Sequence, residues 1–142
     1  MENKYKILPH PADIRVQAFG KTKEELFLNA MKGMTAVLQP KIRSTKHEIR
    51  NIKVKSVDLN ALLVDFLSEV LYLIQTNKEV YNNIKFTKFS PSNSSGQSTL
   101  EAELIGNKVE SFGEDIKGVT YHGLKITQNK DGLYEATVLF DV

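Results

Sequence analysis

The chain has 142 residues, of which 41% are hydrophobic and 25% charged, with a formal net charge of +2. These values predict a soluble globular protein with a single domain over residues 1–142, and the small charge gives no strong attraction to nucleic acid. Because the chain has no cysteine, disulfides, thiolate metal sites and a catalytic thiol are excluded, which fits a cytoplasmic protein.

The first elements in chain order are two short strands. Residues 4–8 and 14–18 carry apolar residues in strand-like patterns, and the second segment alternates clearly. Pro9 and Pro11 flank His10, and they forbid helix there because proline restricts its own backbone and that of the preceding residue. We therefore expect an extended connection between the two strands.

A helix follows the second strand. Gly20 ends the strand, and Thr22 with Glu25 three residues later forms a capping box. Proline at position 40 is expected to end this helix. Its apolar residues follow at helical spacing: Leu26, Phe27, Ala30, Met34, Val37 and Leu38.

The stretch after this helix is basic and is predicted to be a strand over residues 44–56. We interpret its positive charges as a solvated strand face, with an RNA-binding or acidic-partner surface as the alternative. His47 lies in the same stretch and is expected at the surface. The basic residues are Lys41, Arg43, Lys46, Arg50, Lys53 and Lys55.

Asp58 is predicted to cap a second helix that runs to about Thr76. Apolar residues cover most of its circumference, which favours a central helix packed between layers of the same domain. Asp65, Ser68 and Glu69 interrupt the apolar stretch, so we predict that the helix does not span a membrane.

Two hairpins are predicted in the second half. Residues 84–87 and 99–104 form the first, with a flexible tip near 90–96, whereas 106–117 show no convincing periodicity. The final hairpin pairs 119–127 with 134–140. It turns at Asn129-Lys130-Asp131-Gly132. This order predicts an α+β fold, a mostly antiparallel or mixed sheet with two main helices packed on it.

Two aspartates and a carboxyl group are candidates for a metal site. Alternation puts Asp13 and Asp141 on the polar faces of their strands, and Asp141 precedes Val142, whose free α-carboxylate we expect to be the native terminus. Taken alone, each aspartate fits an ordinary solvated acid better than a metal ligand. Brought together, such oxygen-only groups suit hard cations such as Ca²⁺, Mg²⁺ or Mn²⁺.

Two further residues carry chemistry near the final hairpin. Alternation with Thr120 and Leu124 predicts that His122 is hydrogen-bonded at the edge of the core, although its pKa range also suits acid–base work. Lys117, just before the same strand, could offset acidic charge or bind a phosphate. Standard phosphate-loop, serine-elbow and zinc-helix motifs do not occur in the sequence.

Several separated segments resemble the archease family. Residues 10–14, His-Pro-Ala-Asp-Ile, resemble its His-Thr-Ala-Asp-Ile opening, and residues 58–72 resemble its long central helix. Residues 116–122, Ile-Lys-Gly-Val-Thr-Tyr-His, are similar to its Ile-Lys-Ala-Val-Thr-Tyr-His strand. The chain also ends in the expected strand, aspartate and apolar residue.

Three positions depart from the family pattern. Pro11 replaces threonine, Phe66 replaces the usual tryptophan and Gly118 replaces alanine. The first change removes a hydroxyl close to Asp13, so any hydrogen bond from that position is lost.

The resemblance implies an activator rather than an enzyme. Archeases assist the GTP-dependent tRNA-splicing RNA ligase, which joins 2′,3′-cyclic-phosphate or 3′-phosphate ends to 5′-hydroxyl ends, by promoting ligase guanylylation and multiple turnover. The resemblance places the divalent-metal site on Asp13, Asp141 and Val142, with Ca²⁺ suggested and Mg²⁺ or Mn²⁺ as alternatives. His10, Lys117 and His122 are functional neighbours, and RNA is met mostly through the ligase.

Two other functions remain open from the residues. One is a small metal-dependent phosphoesterase that uses the same acids with His122 as general acid–base. The other is an RNA-binding chaperone that uses residues 41–55, for which RNA affinity would fall steeply with salt.

Overall fold

The computed structural model describes residues 4–9, 13–91 and 97–142. Two helices and eight strands lie in these residues. In chain order the elements are β1 Tyr5–Pro9, β2 Asp13–Gly20, α1 Lys23–Leu38, β3 Pro40–Ser56, α2 Leu59–Asn77, β4 Glu79–Ser90, β5 Ser98–Phe112, β6 Gly118–Thr120, β7 Thr127–Gln128 and β8 Tyr134–Asp141.

The described strands form two antiparallel sheets with the helices packed against them. The first sheet has the order β1-β2-β8-β6, with β7 also paired to β8, and the second has the order β3-β5-β4. One cluster of buried side chains draws on both sheets and both helices, including Val16, Phe27, Phe66, Leu100 and Phe140. The predicted α+β class is confirmed, and its strands are divided between two sheets.

Both helices begin where the capping residues predict. The Thr22 hydroxyl accepts a hydrogen bond from the Glu25 N–H at 3.0 Å, while the Glu25 carboxylate accepts one from the Lys21 N–H at 2.9 Å. The Asp58 carboxylate accepts one from the Ala61 N–H at 2.8 Å. The bonds donated by the Glu25 and Ala61 N–H groups satisfy donors that the first helical turn leaves unpaired.

Helix α2 is the central helix of the fold. By length and composition alone it is apolar enough to cross a membrane. However, it contacts β3, β4 and β5 of the second sheet, β6 of the first sheet, and α1. Phe66 and Val70 are fully buried there. In this fold it is therefore a core helix, as its almost continuous apolar surface predicts.

The structure corrects the prediction of one continuous strand over 119–127. Within this stretch only β6 and β7 pair with β8, and the residues between these two short strands form a loop. The loop turns at Tyr121, whose carbonyl accepts from the Leu124 N–H at 3.1 Å, and Gly123 has φ +67°. The predicted turn at residues 129–132 is confirmed, since the Gly132 N–H donates to the Asn129 carbonyl at 3.0 Å.

Strand β5 extends through residues that show no periodicity in the sequence. It pairs with β3 and β4, and its register with β4 shifts between Tyr81 and Asn83. A Cβ on Gly106 would lie 1.8 Å from the Val80 carbonyl oxygen, so glycine permits this close approach of the two backbones. The predicted hairpin is confirmed, whereas its tip, 92–96, lies outside the described residues.

Candidate metal corner and the adjoining loop

The paired strands β2 and β8 present one buried and one polar face. Val16, Ala18, Val138 and Phe140 are buried toward the core. The alternate positions, which include Arg15 and Thr137, lie on the opposite, outer face, as the sequence predicts. This alternation fixes which side chains are available for chemistry.

Register brings the two predicted aspartates together. Asp13 in β2 is the direct partner of Asp141 in β8. Opposed residues in antiparallel strands have Cα atoms about 4.5–5.5 Å apart. Val142 follows at once, and its half-buried side chain packs against the core, which anchors the last residue. We call Asp13, Asp141 and the α-carboxylate of Val142 the acid corner.

Lys117 lies beside the acid corner. Its backbone N–H donates to the Asp141 carbonyl at 2.6 Å, and Gly118, the next residue, is the cross-strand partner of Asp141 in β6. The Lys117 side chain is exposed. The backbone of Lys117 is therefore bonded to the last strand at Asp141, and its charged side chain is accessible.

His122 does not lie where strand alternation predicts. It is exposed in the loop after β6, and its backbone N–H donates to the Thr120 hydroxyl at 3.2 Å. The prediction of a histidine at the core edge is wrong because the strand ends at Thr120 and the alternation ends with it. The imidazole is instead on the outer side of the first sheet, near Arg15 and Thr137.

Two side chains of α2 anchor this loop. The Tyr121 hydroxyl donates to the Asp65 carboxylate, whose other oxygen accepts from the Ser56 hydroxyl at 2.5 Å. The Ile126 N–H donates to the Asn60 side chain at 2.9 Å. The bond to Asp65 raises the pKa of Tyr121 to about 12. Residues before and after His122 are thus attached to the central helix.

The donor set of the acid corner fits a hard cation. Carboxylate oxygens are preferred by Ca²⁺, Mg²⁺ and Mn²⁺, and facing carboxylates repel unless positive charge lies near them. The described residues contain no group of three or more His, Cys, Asp or Glu side chains arranged to hold a metal. His10 lies outside the described residues.

A second charged group, which sequence reasoning missed, lies in the second sheet. Glu79 is fully buried, and Arg50 donates to its two oxygens at 2.9 and 2.7 Å. Lys108 approaches one oxygen to 2.9 Å, and the Tyr81 hydroxyl donates to the other at 2.8 Å. We call these four residues the Glu79 cluster.

The titration behaviour of the Glu79 cluster follows from these contacts. The Arg50 guanidinium, aided by Lys108 and Tyr81, lowers the pKa of Glu79 to about 2 against the opposing effect of burial. Burial, together with the bond to Glu79, raises the pKa of Tyr81. The carboxylate is compensated within the chain, which is typical of a structural ion pair.

Comparisons with known proteins identify the family of this chain. The archease protein family matches residues 5–142. The chain belongs to the archease family. The archease of Methanosarcina barkeri is 38% identical, covering 97% of this chain and 95% of its own length. That of Methanosarcina mazei is 34% identical, covering 98% and 96%.

Solved structures share this archease fold. The solution structure of protein 1598 from Methanobacterium thermoautotrophicum has a TM-score of 0.75 and 26% identity, covering 98% of this chain and 99% of that one. A crystal structure from Thermotoga maritima, described as an archease and possible chaperone, has a TM-score of 0.68 and 20% identity. The second match covers the whole of both chains and supports the fold alone.

Proposed function

We propose that this archease activates a GTP-dependent RNA ligase and is not itself a catalyst. The ligase joins 2′,3′-cyclic-phosphate or 3′-phosphate ends to 5′-hydroxyl ends in tRNA splicing and RNA repair. The activator promotes guanylylation of the ligase and sustains multiple turnover. It acts in the cytoplasm and contacts RNA mostly indirectly, through the ligase. The observation that carries the proposal is the Asp13–Asp141 register beside Val142, in a chain of this family.

The acid corner is the proposed working part of the activator. Asp13, Asp141 and the Val142 α-carboxylate would hold a divalent cation, Ca²⁺ first, with Mg²⁺ and Mn²⁺ as alternatives. Such a cation, when bound, neutralises phosphate charge and polarises phosphoryl oxygens. Lys117, exposed at the same edge, adds positive charge that favours an anionic surface on the partner.

The two competing functions receive less support. A phosphoesterase normally needs a denser ligand set, and the described residues contain no group of three or more His, Cys, Asp or Glu side chains that could hold a metal. An RNA-binding chaperone would use the basic strand β3, but acids neutralise three of its cations. These pairs are Lys41–Glu110 at 3.4 Å, Arg50–Glu79 at 2.7 Å and Lys53–Glu101 at 3.9 Å.

A reconstituted ligase reaction tests the proposal. Purified ligase is incubated with GTP and RNA ends, with and without this protein, and guanylylated ligase and product per ligase are counted. We expect more guanylylated ligase and several turnovers only when the archease is present. No gain in either quantity would exclude the activator function, and hydrolysis of generic phosphodiesters by the isolated protein would favour the phosphoesterase.

Two matched variants test whether stimulation of the ligase depends on the acid corner. Asp13→Asn should abolish stimulation, since it removes one carboxylate of the acid corner while keeping the side-chain shape. Asp131→Asn is the control, because Asp131 is an exposed acid in the β7–β8 turn, away from the acid corner. Equal stimulation by the two variants would mean that the acid corner is only structural.

A further inference from the structure

A depression adjoins the acid corner on the outer face of the first sheet. It is lined by Arg15, His122, Gly123, Thr137 and Leu139, and its volume is about 370 Å³. Small-molecule sites range from about 300 to 1,000 Å³, so the depression can admit a small ligand group. We call it the Arg15 depression.

Strand register fixes the distance between the Arg15 depression and the acid corner. Arg15 pairs with Leu139, one alternate position along from the Asp13–Asp141 pair, so both pairs lie on the same face. Two residues of antiparallel strand span about 6.8 Å. A ligand with linked charged groups can therefore reach both places at once.

The lining favours an anion. Arg15 is exposed and takes part in no ion pair among the described residues, and no acidic side chain lines the depression. A guanidinium binds phosphate oxygens through two parallel hydrogen bonds, and imidazole and hydroxyl groups supply further donors. Here His122 supplies the imidazole and Thr137 the hydroxyl, and Leu139 contributes an apolar side chain to the lining.

The loop that carries His122 is anchored to helix α2 without any ligand. Tyr121 is bonded to Asp65, and the Ile126 N–H is bonded to Asn60, so both flanks of the histidine are attached to α2. Gly123 takes a positive φ of +67°, which glycine adopts without steric cost and which completes the tight turn. A preorganised donor loses less conformational entropy when it binds.

We propose that the Arg15 depression binds a phosphate group of a ligand that also meets the cation of the acid corner. Arg15 and His122 contact the phosphate oxygens, and Thr137 adds a hydrogen bond. Two sources share this chemistry, the triphosphate of GTP and the 3′-phosphate of an RNA end. The proposal rests on the proposed function for these ligands, but phosphate binding can be measured on the isolated protein.

Amide NMR titration of the isolated protein tests the subsite. The probes are Mg²⁺–GTP and a short RNA with a 3′-phosphate, and the matched blanks are guanosine and the same RNA with a 3′-hydroxyl. We expect saturable shifts at Gly123 and Thr137 with at least one phosphate-bearing probe and none with its blank. Equal shifts with probe and blank, or shifts confined to other surfaces, would overturn the proposal.

Two charge-matched variants sharpen the test. Arg15→Gln should weaken phosphate binding about tenfold or more, since it removes a charge-assisted hydrogen bond to the phosphate. Lys6→Gln removes the same charge from neighbouring β1, outside the depression, and should change affinity about twofold or less. Equal weakening by both variants would show nonspecific attraction and contradict the subsite.

The result separates this proposal from the activator function. Stimulation of the ligase without phosphate binding by the isolated protein would overturn the subsite and leave the activator function intact. Phosphate binding that depends on Arg15, without ligase stimulation, would support the subsite and contradict the activator function.

Discussion

The Glu79 cluster and the acid corner are charged groups in different sheets, and their charges are balanced differently. In the Glu79 cluster, strands β3 and β5 supply Arg50 and Lys108 to one buried carboxylate. At the acid corner, strands β2 and β8 bring two carboxylates face to face at the margin of the sheet. The first arrangement is compensated within the chain, and in the second two acids of the same charge lie opposite one another.

The comparison separates stability from function. A buried carboxylate with two cations and a tyrosine donor has satisfied its hydrogen bonds, so its loss affects folding. Asp141 is exposed and Asp13 is half-buried, so we expect replacement of either acid to cost less folding stability than replacement of Glu79. Perturbed pKa values alone would have selected Glu79 as the functional residue, whereas the geometry assigns it a structural role.

The largest expected effect follows from removing the buried charge. Glu79→Gln should lower the free energy of unfolding by about 3 kcal/mol, because Arg50 and Lys108 lose their anionic partner. Glu101→Gln, which breaks only the surface contact with Lys53, should cost less than about 1 kcal/mol. Urea unfolding measures both, and equal costs would contradict the distinction between the two kinds of ion pair.

Acid should unfold the protein partly through the same carboxylate. The pKa of Glu79 lies at about 2 in the folded protein, below its ordinary value of 4.5. Its contribution is therefore complete above pH 4.5 and is lost as the pH falls toward 2. Urea unfolding at several pH values should show the wild type approaching Glu79→Gln over this range. A constant difference between them would show that Glu79 is not the titrating group.

A smaller effect is expected where the loop meets α2. Tyr121→Phe removes the hydrogen bond to Asp65, which retains Ser56 as a partner, so the cost should be about 1 kcal/mol. The change should instead speed amide hydrogen exchange at His122 and Gly123. Exchange in the Glu79 cluster is the internal reference, and unchanged loop exchange would mean that Tyr121 does not hold the loop.

Local signals in the sequence predicted much of the fold. Thr22 and Asp58 mark the two helix starts because capping depends on residues three positions away, and both bonds are present. The period-two patterns of β2 and β8 predicted the polar faces of Asp13 and Asp141. Their direct pairing depends on strand register, which the two separate patterns do not encode.

The features that were missed depend on distant partners. Glu79 lies 29 residues from both Arg50 and Lys108, so no local pattern links them. The loop after β6 forms where Tyr121 bonds to Asp65 on helix α2. The alternating pattern of the sequence continues past Thr120, so it predicted a strand where the structure has a loop. The face on which Arg15 lies was predictable, because the same alternation places it with Asp13.

Calcium titration of the isolated archease, followed calorimetrically, tests the central claim most directly. We predict that the wild type binds Ca²⁺ at one site and that Asp131→Asn binds it equally. Asp13→Asn should bind about tenfold or more weakly while unfolding at the same urea concentration. One glycine added after Val142 should also weaken binding, since it moves the α-carboxylate by about 3.3 Å. Undiminished binding by folded Asp13→Asn, or no binding of Ca²⁺, Mg²⁺ or Mn²⁺ by the wild type, would contradict the account.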